Sequence, residues 1–365
     1  MDTLTINASQ LPRWSDARMA AVTIPRRRLL YQQMTLTLKA NADPAASCVV
    51  LRRDRGSSRL WAVRLHKQPT DSRTMRTRSF AVLAAALALS ALPVHAQTVP
   101  AAIYTDPPRD AQHPARMEVL HIPSGGVRIN GVAYLVPGTG VHPTFVLMHG
   151  LPGNEKNLDL AQAVRRAGWN AITFNFRGSW GSPGKFRFAN NMQDADAVLA
   201  FLRDPANVRK FGIDTTQLVL AGHSMGGWVT VHTAAHDHRL RGAVLISAAD
   251  MATIANQPRA KVVAHMAGDM ETLASTTPEQ MADELIAHKD SWTFANSYAG
   301  LAAVPMLVVT SNDGLAPMND ALVAAVRARG NRQIVTVHLP TDHSYSDQRI
   351  ALESAVITWL QKMAK

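Results

Sequence analysis

Of its 365 residues only one is cysteine, Cys48. An intramolecular disulfide framework and a cysteine-rich metal site are therefore excluded. Acidic residues are scarce at one end. Residues 1–96 carry 15 Lys/Arg against five Asp/Glu, whereas residues 97–365 carry 23 and 22. The formal charge of +11 thus belongs to the N-terminal quarter. The rest is near neutral and offers no basic patch of the kind that nucleic acid requires. Also missing are a phosphate loop, a dinucleotide fingerprint and metal-ligand spacing. The glycine clusters do not fit Gly-x-Gly-x-x-Gly with a downstream ribose-binding acid, so no cofactor is expected.

No apolar run reaches the ~20 residues a membrane-spanning helix needs. The best one, Phe80–Leu92, follows Arg76 and Arg78 and is closed by Pro93. Val94-His95-Ala96 then places small residues at the −3 and −1 positions of a cleavage site before Gln97. This order is that of a secretory signal peptide over residues 75–96. It implies a periplasmic or secreted mature protein with no stable membrane anchor after cleavage. A signal peptide must be N-terminal, so translation is expected to start at Met75. Residues 1–74, with Arg26-Arg27-Arg28 and Arg52-Arg53-Asp54-Arg55, then read as a non-native or disordered extension. The alternative is a genuine basic tail or targeting segment.

Residues 97–117 read as a linker and residues 118–365 as one domain. Val132–Val136, Phe145–Met148, Ala171–Phe176, Leu218–Ala221, Ala243–Ser247, Met306–Thr310 and Ile334–Leu339 are short apolar runs of buried-strand type. Pro137-Gly138-Thr139-Gly140 separates the first two. Helical spacing is found at Leu158–Ala167, stopped by Gly168, and at Met192–Leu202, with Asp194 and Asp196 placed in its first turn. A helix also follows Ser224, and Pro317–Arg329 and Asp347–Met363 fit helices. The alternation predicts an α/β fold with a mainly parallel sheet flanked by helices. About 250–304 the alternation fails for some fifty residues, too long for an ordinary connection. This stretch is expected to form a helical cap. Its Met251, Met266, Met270, Met281, Trp292 and Phe294 either line an apolar pocket or pack the cap on the body.

The chemistry centres on Gly222-His223-Ser224-Met225-Gly226, directly after the strand Leu218–Ala221 and before a helix-compatible segment. In a strand-turn-helix setting this spacing forms a sharp turn that exposes the serine, and the glycines clear space for the neighbouring strand and helix. From about residue 118 onward the chain resembles the α/β-hydrolase superfamily, in particular exported esterase-like and prolyl-oligopeptidase-like members. The landmarks are His149-Gly150-Leu151-Pro152-Gly153, Arg177-Gly178-x-x-Gly181, Gly222–Gly226, and the closing pair Asp313 and His343.

The resemblance implies a serine, an acid and a histidine in that order. Asp313 and His343 each lie just beyond a strand, at the sheet edge where parallel strands open into one crevice. Ser224 would be the nucleophile, His343 the base, and Asp313 the group that fixes its tautomer. Asp250, after another strand, is an alternative acid. Asp342 is read as a turn residue, His223 as a packing residue and His149 as a structural hydrogen-bonder. The backbone N–H groups of Met225 and Leu151 are the expected oxyanion donors, since Pro152 has none. Asn175-Phe176-Arg177 lacks the acid that many relatives place before the arginine, and Arg177 is read as structural. The expected activity is cleavage of a carboxylic ester, thioester or related acyl bond in a small-molecule substrate. A serine peptidase acting on short peptides and a non-catalytic binding scaffold are the alternatives. Lipase action at a membrane surface would require a mobile, apolar cap.

Overall fold

The computed structural model describes residues 99–363, with the backbone of two short strands nearer the start of the chain, β1 (Val49–Arg53) and β2 (Leu60–Arg64). The chain divides into two units, Met1–His95 and Ala96–Lys365. In the first, β1 and β2 pair antiparallel. The signal-peptide reading of residues 75–96 lies outside the described residues.

The second unit is built on an eight-stranded sheet in the order β10-β9-β8-β7-β5-β6-β4-β3. Its strands are β3 (Arg116–Ser124), β4 (Val127–Leu135), β5 (His142–Met148), β6 (Asn170–Phe174), β7 (Ile213–His223), β8 (Gly242–Ile246), β9 (Met306–Thr310) and β10 (Ile334–His338). Only the β3–β4 and β4–β6 pairings are antiparallel; the other five are parallel. The mainly parallel sheet read from the alternation is therefore present. The Pro137–Gly140 turn does not make a hairpin, because β4 pairs with β3 and β6 whereas β5 lies between β6 and β7.

Side chains alternate across the sheet and feed two separate cores. Val146 and Met148 of β5 enter one, together with Val198 and Leu199 of α2 (Phe188–Arg203) and Trp228 of α4 (Met225–His236). Phe145 and Leu147 enter the other, with Leu160 of α1 (Leu158–Arg166) and Val356 of α9 (Arg349–Met363). Covering both faces with helices is what allows the central strands to be apolar throughout. The short α3 (Pro205–Phe211) is capped by the Asp204 carboxylate, which accepts from the N–H groups of Ala206 and Asn207, and α8 (Ala316–Ala328) follows β9.

Two boundaries differ from the sequence reading. The stretch taken as a linker joins the domain from Ala101 onward. Arg166 of α1 donates to the carbonyl oxygens of Ala102 and Ile103, at 2.5 and 3.0 Å. The helix expected from Met192 begins at Phe188. Its first free N–H groups, on Phe188 and Ala189, donate to the Glu284 carboxylate at 3.0 and 2.9 Å, which favours the positive helix end. Asp194 is thus in the second turn, and it is fully buried.

The cap forms helices as expected: α5 (Met251–Ile254), α6 (Arg259–Ala267) and α7 (Pro278–His288), followed by two 3-10 turns at Phe294–Ser297 and Gly300–Ala303. Met251, Met266, Met281, Trp292 and Phe294 are buried in the first core, with Met270 half-buried against it. They pack the cap onto the body.

Candidate active site

Five strand ends meet at one edge of the sheet, and each delivers a residue read from the sequence. After β5 come His149 and Leu151, after β7 Ser224, after β8 Asp250, after β9 Asp313 and after β10 His343. The chain winds outward in opposite senses from the β5–β7 pair, so Ser224 stands at the point where the strand order reverses. Crevices open at such points in α/β sheets.

Ser224 links β7 to α4 with φ 56° and ψ −119°, a conformation that a non-glycine residue adopts only when its surroundings enforce it. They do so here. The Ser224 N–H donates to the Ile246 carbonyl at 2.9 Å, and its own carbonyl accepts from Gly227 and Ala249 at 2.9 and 3.1 Å. The turn also closes with no room to spare. A Cβ on Gly222 would lie 2.0 Å from the Gly226 carbonyl oxygen. One on Gly226 would lie 2.6 Å from the carbonyl oxygens of both Met148 and His149. The glycines are therefore steric requirements of the turn, as the motif implied.

His343 Nδ1 donates to Asp313 Oδ2 at 2.7 Å. The Asp313 side chain is almost fully buried, while that of His343 is 40% exposed. Burial alone would raise the Asp313 pKa. The hydrogen bonds from His343, from the Leu315 N–H and from the Ser247 and Ser311 hydroxyls outweigh it and hold the carboxyl well below the usual range. It is a carboxylate across the working range of most enzymes, hydrogen-bonded to His343 Nδ1.

Beneath this pair lies a buried hydroxyl cluster that the sequence did not reveal. Ser247 Oγ is 3.1 Å from Ser311 Oγ and 2.8 Å from the Tyr345 hydroxyl, which in turn donates to the Val309 carbonyl at 3.2 Å. Burial pushes the Tyr345 phenol up to about 12, so it remains a donor. No motif links these positions; a serine directly after a strand end is the one available signal.

His223 does more than pack. Its Nε2–H donates to the His343 carbonyl oxygen at 2.9 Å, and the two rings lie against each other with centroids 4.6 Å apart and 35° between planes. Burial and the neighbouring His343 depress its pKa to about 3, so it is neutral. The residue preceding the serine thus carries the loop of the histidine.

Asp250 faces elsewhere. Its Oδ2 accepts from the Thr293 hydroxyl and the Phe294 N–H at 3.1 and 3.0 Å, and its Oδ1 accepts from Ala252. It anchors the cap, whereas Asp313 holds His343. Asp342 accepts from the Ser346 N–H at 2.9 Å, a turn contact. His149 Nδ1 donates to the Gly150 carbonyl at 2.7 Å, and burial lowers its pKa to about 4.

Leu151 is the third residue of the loop after β5, whose Gly150 lies directly on the serine. A Cβ on Gly150 would come within 2.8 Å of Ser224 Cβ. Met225 occupies the first position of α4, where the N–H has no intrahelical acceptor. The acid missing before Arg177 is supplied from α2. The Arg177 Nε and N–H donate to the two Asp194 oxygens at 2.6 and 2.7 Å, and Ser124 donates to the same carboxylate.

The profile of the alpha/beta hydrolase family matches residues 135–355. Solved structures share the fold. An esterase from the hyperthermophilic archaeon Pyrobaculum calidifontis is 20% identical, with 69% of this chain and 88% of that chain covered at a TM-score of 0.52. The thermostable carboxylesterase EstE1, cloned from a metagenomic library, is 17% identical over 70% of this chain and 91% of that chain, TM-score 0.52. The alpha/beta hydrolase GrgF from Penicillium sp. sh18 is 16% identical over 68% and 100%, TM-score 0.53. No curated protein sequence matches the chain.

Proposed function

Because the chain belongs to the alpha/beta hydrolase family, we propose that it is a serine hydrolase cleaving a carboxylic ester, thioester or related acyl bond through an acyl-enzyme on Ser224. The observation that carries this reading is the 2.7 Å contact of His343 Nδ1 with the buried Asp313 carboxylate, on a loop tied to the residue before Ser224. The ester chemistry in the names of the Pyrobaculum enzyme and EstE1 accords with it.

With Nδ1–H committed to Asp313, the lone pair of His343 is on Nε2, the nitrogen free to face the crevice. Nε2 takes the Ser224 proton as Oγ attacks the acyl carbon. Asp313 stabilises the imidazolium without taking its proton. The negative charge gathers on the acyl oxygen, where the Met225 and Leu151 N–H groups donate, each worth about 3 kcal/mol in the transition state. His343 then passes its proton to the departing alcohol or thiol. Water repeats the sequence against the acyl-enzyme, releasing the acid and restoring Ser224.

A fluorophosphonate probe tests this directly. It should label the wild-type protein at Ser224 and leave Ser224→Ala unlabelled; a folded wild-type protein that takes no label would overturn the reading. The substrate is a small acyl compound and the working compartment the periplasm or exterior. N-terminal sequencing of exported protein should then begin at Gln97, and retention of residues 1–74 would refute export by this signal.

A further inference from the structure

The segment Met270–Ala274 of the cap adds a strand-like rung to the loop after β6. The Trp180 N–H donates to the Thr272 carbonyl at 2.9 Å, and the Ala274 N–H donates to the Gly178 carbonyl at 2.8 Å. Ser179 and Leu273 face each other across this antiparallel bridge. The rung reaches the expected oxyanion loop. Two donors converge on the Pro152 carbonyl, one residue past Leu151: the Trp180 indole Nε1–H at 2.7 Å and the Thr272 hydroxyl at 2.9 Å. Asn154 in the same loop donates to Glu271 at 2.6 Å. One of the two groups that hold the loop against Ser224 is therefore part of the cap.

The rest of the cap is equally tied down. The Glu284 carboxylate takes the first N–H groups of α2. Within the cap, the Asp250 carboxylate ties the first turn to Thr293 and Phe294. The Trp228 indole and the His232 ring of α4 both donate to the Trp292 carbonyl, at 2.8 and 2.9 Å. The apolar residues of the cap face the body, and its outer surface carries no exposed large hydrophobic residue. A lid that opens at a lipid surface must break its bonds to the body, so it is held by few of them.

We propose that the cap is a fixed part of the oxyanion scaffold, with Thr272 and Trp180 as positioning residues, and that the enzyme acts on acyl substrates dissolved as single molecules rather than on lipid aggregates. Moving the cap would withdraw Thr272 from Pro152 and release the loop that carries the Leu151 N–H. This inference rests on the serine-hydrolase reading and names the substrate class of the same site.

Ser179→Cys with Leu273→Cys tests it, in the full chain with Cys48→Ser to remove the native thiol. The flanking hydrogen bonds make this a non-hydrogen-bonded antiparallel pair, in which the Cα atoms lie about 4.5 Å apart, within the span of a disulfide. The oxidised protein should hydrolyse a p-nitrophenyl butyrate solution within about twofold of its reduced form. Wild-type rates on tributyrin should saturate with concentration and show no jump at its solubility limit. Thr272→Val should lower kcat about tenfold with KM little changed. Failure of the folded pair to oxidise, loss of activity that dithiothreitol restores, or a jump in wild-type rate at the solubility limit would each overturn the fixed cap. Fluorophosphonate labelling of wild type separates the two claims, since it reports on Ser224 whatever the cap does.

Discussion

The imidazole of His223 donates to the backbone of His343 at 2.9 Å, so the residue before Ser224 and His343 are held as one unit. The geometry of Ser224 is set by its turn, and that turn therefore also sets the height of the His343 loop. His223→Phe would keep a ring against His343 and remove the donor. We expect kcat to fall about tenfold, the scale of one hydrogen bond of somewhat over 1 kcal/mol, with KM within about twofold. The rate of fluorophosphonate labelling should fall in parallel. An unchanged labelling rate would mean that the contact does not position the base.

Two carboxylates compete on paper for the role of acid, and their partners separate them. Asp313→Asn keeps the shape but leaves His343 with the wrong tautomer, which in a comparable triad costs about 10⁴ in kcat. A loss of about 10³ to 10⁴ is expected here. Asp250→Asn should leave kcat within about threefold and lower Tm by a few degrees, because its bonds go to the cap. Steady-state kinetics and a thermal melt on both variants decide the matter. A severe kcat loss in Asp250→Asn with normal activity in Asp313→Asn would reverse the assignment.

Glu353 of α9 makes stability depend on pH. Burial, and next the nearby Asp159 carboxylate, raise its pKa from the ordinary 4.5 to about 7. A carboxyl whose folded pKa is raised binds its proton more tightly when folded. Its contribution is thus fully present below about pH 4.5 and is lost as pH rises through 7. Glu353→Gln mimics the protonated form at every pH. Its Tm should match that of wild type near pH 4.5 and exceed it at pH 8. Equal melting at both pH values would show that Glu353 folds without a penalty.

What could be read in advance was local. Met306–Thr310 is a strand in the structure with the bounds expected from its apolar run, because a strand buried on both faces needs no periodicity to be recognised. The serine turn was legible because its glycines are steric requirements of the turn itself. The strand β3 was missed. Leu120 and Ile122 face the core while Met117 and Val119 are exposed, so an edge strand paired antiparallel presents half the apolar signal of its neighbours. The start of α2 was missed because its cap is Glu284, far away in the chain. The same holds for the Ser247–Ser311–Tyr345 cluster and for the two donors on Pro152. Those contacts exist only once the strands have aligned, and no spacing rule encodes them.

The pair Arg177–Asp194 shows such a non-local contact replacing a local motif. Where many relatives place an acid before the arginine, this chain reads Asn175-Phe176, and the Phe176 ring is buried against His149 with centroids 5.0 Å apart. The carboxylate comes instead from Asp194, fully buried and raised in pKa by that burial despite its hydrogen bonds. Both its oxygens are engaged, by Arg177 and Ser124. Removing it would leave a guanidinium in the interior without its counter-charge. Breaking a buried pair from one side costs about 3–5 kcal/mol, a large part of the stability of an ordinary domain. Asp194→Ala should therefore lower the urea midpoint sharply. Asp194→Asn, which keeps the shape and some hydrogen bonds, should fall between. A double variant, Asp194→Leu with Arg177→Met, removes both charges and should recover much of the loss, because the penalty lies in the unpaired ion and not in the absent bond. Equal destabilisation in the single and double variants would instead assign the loss to packing of the loop after β6.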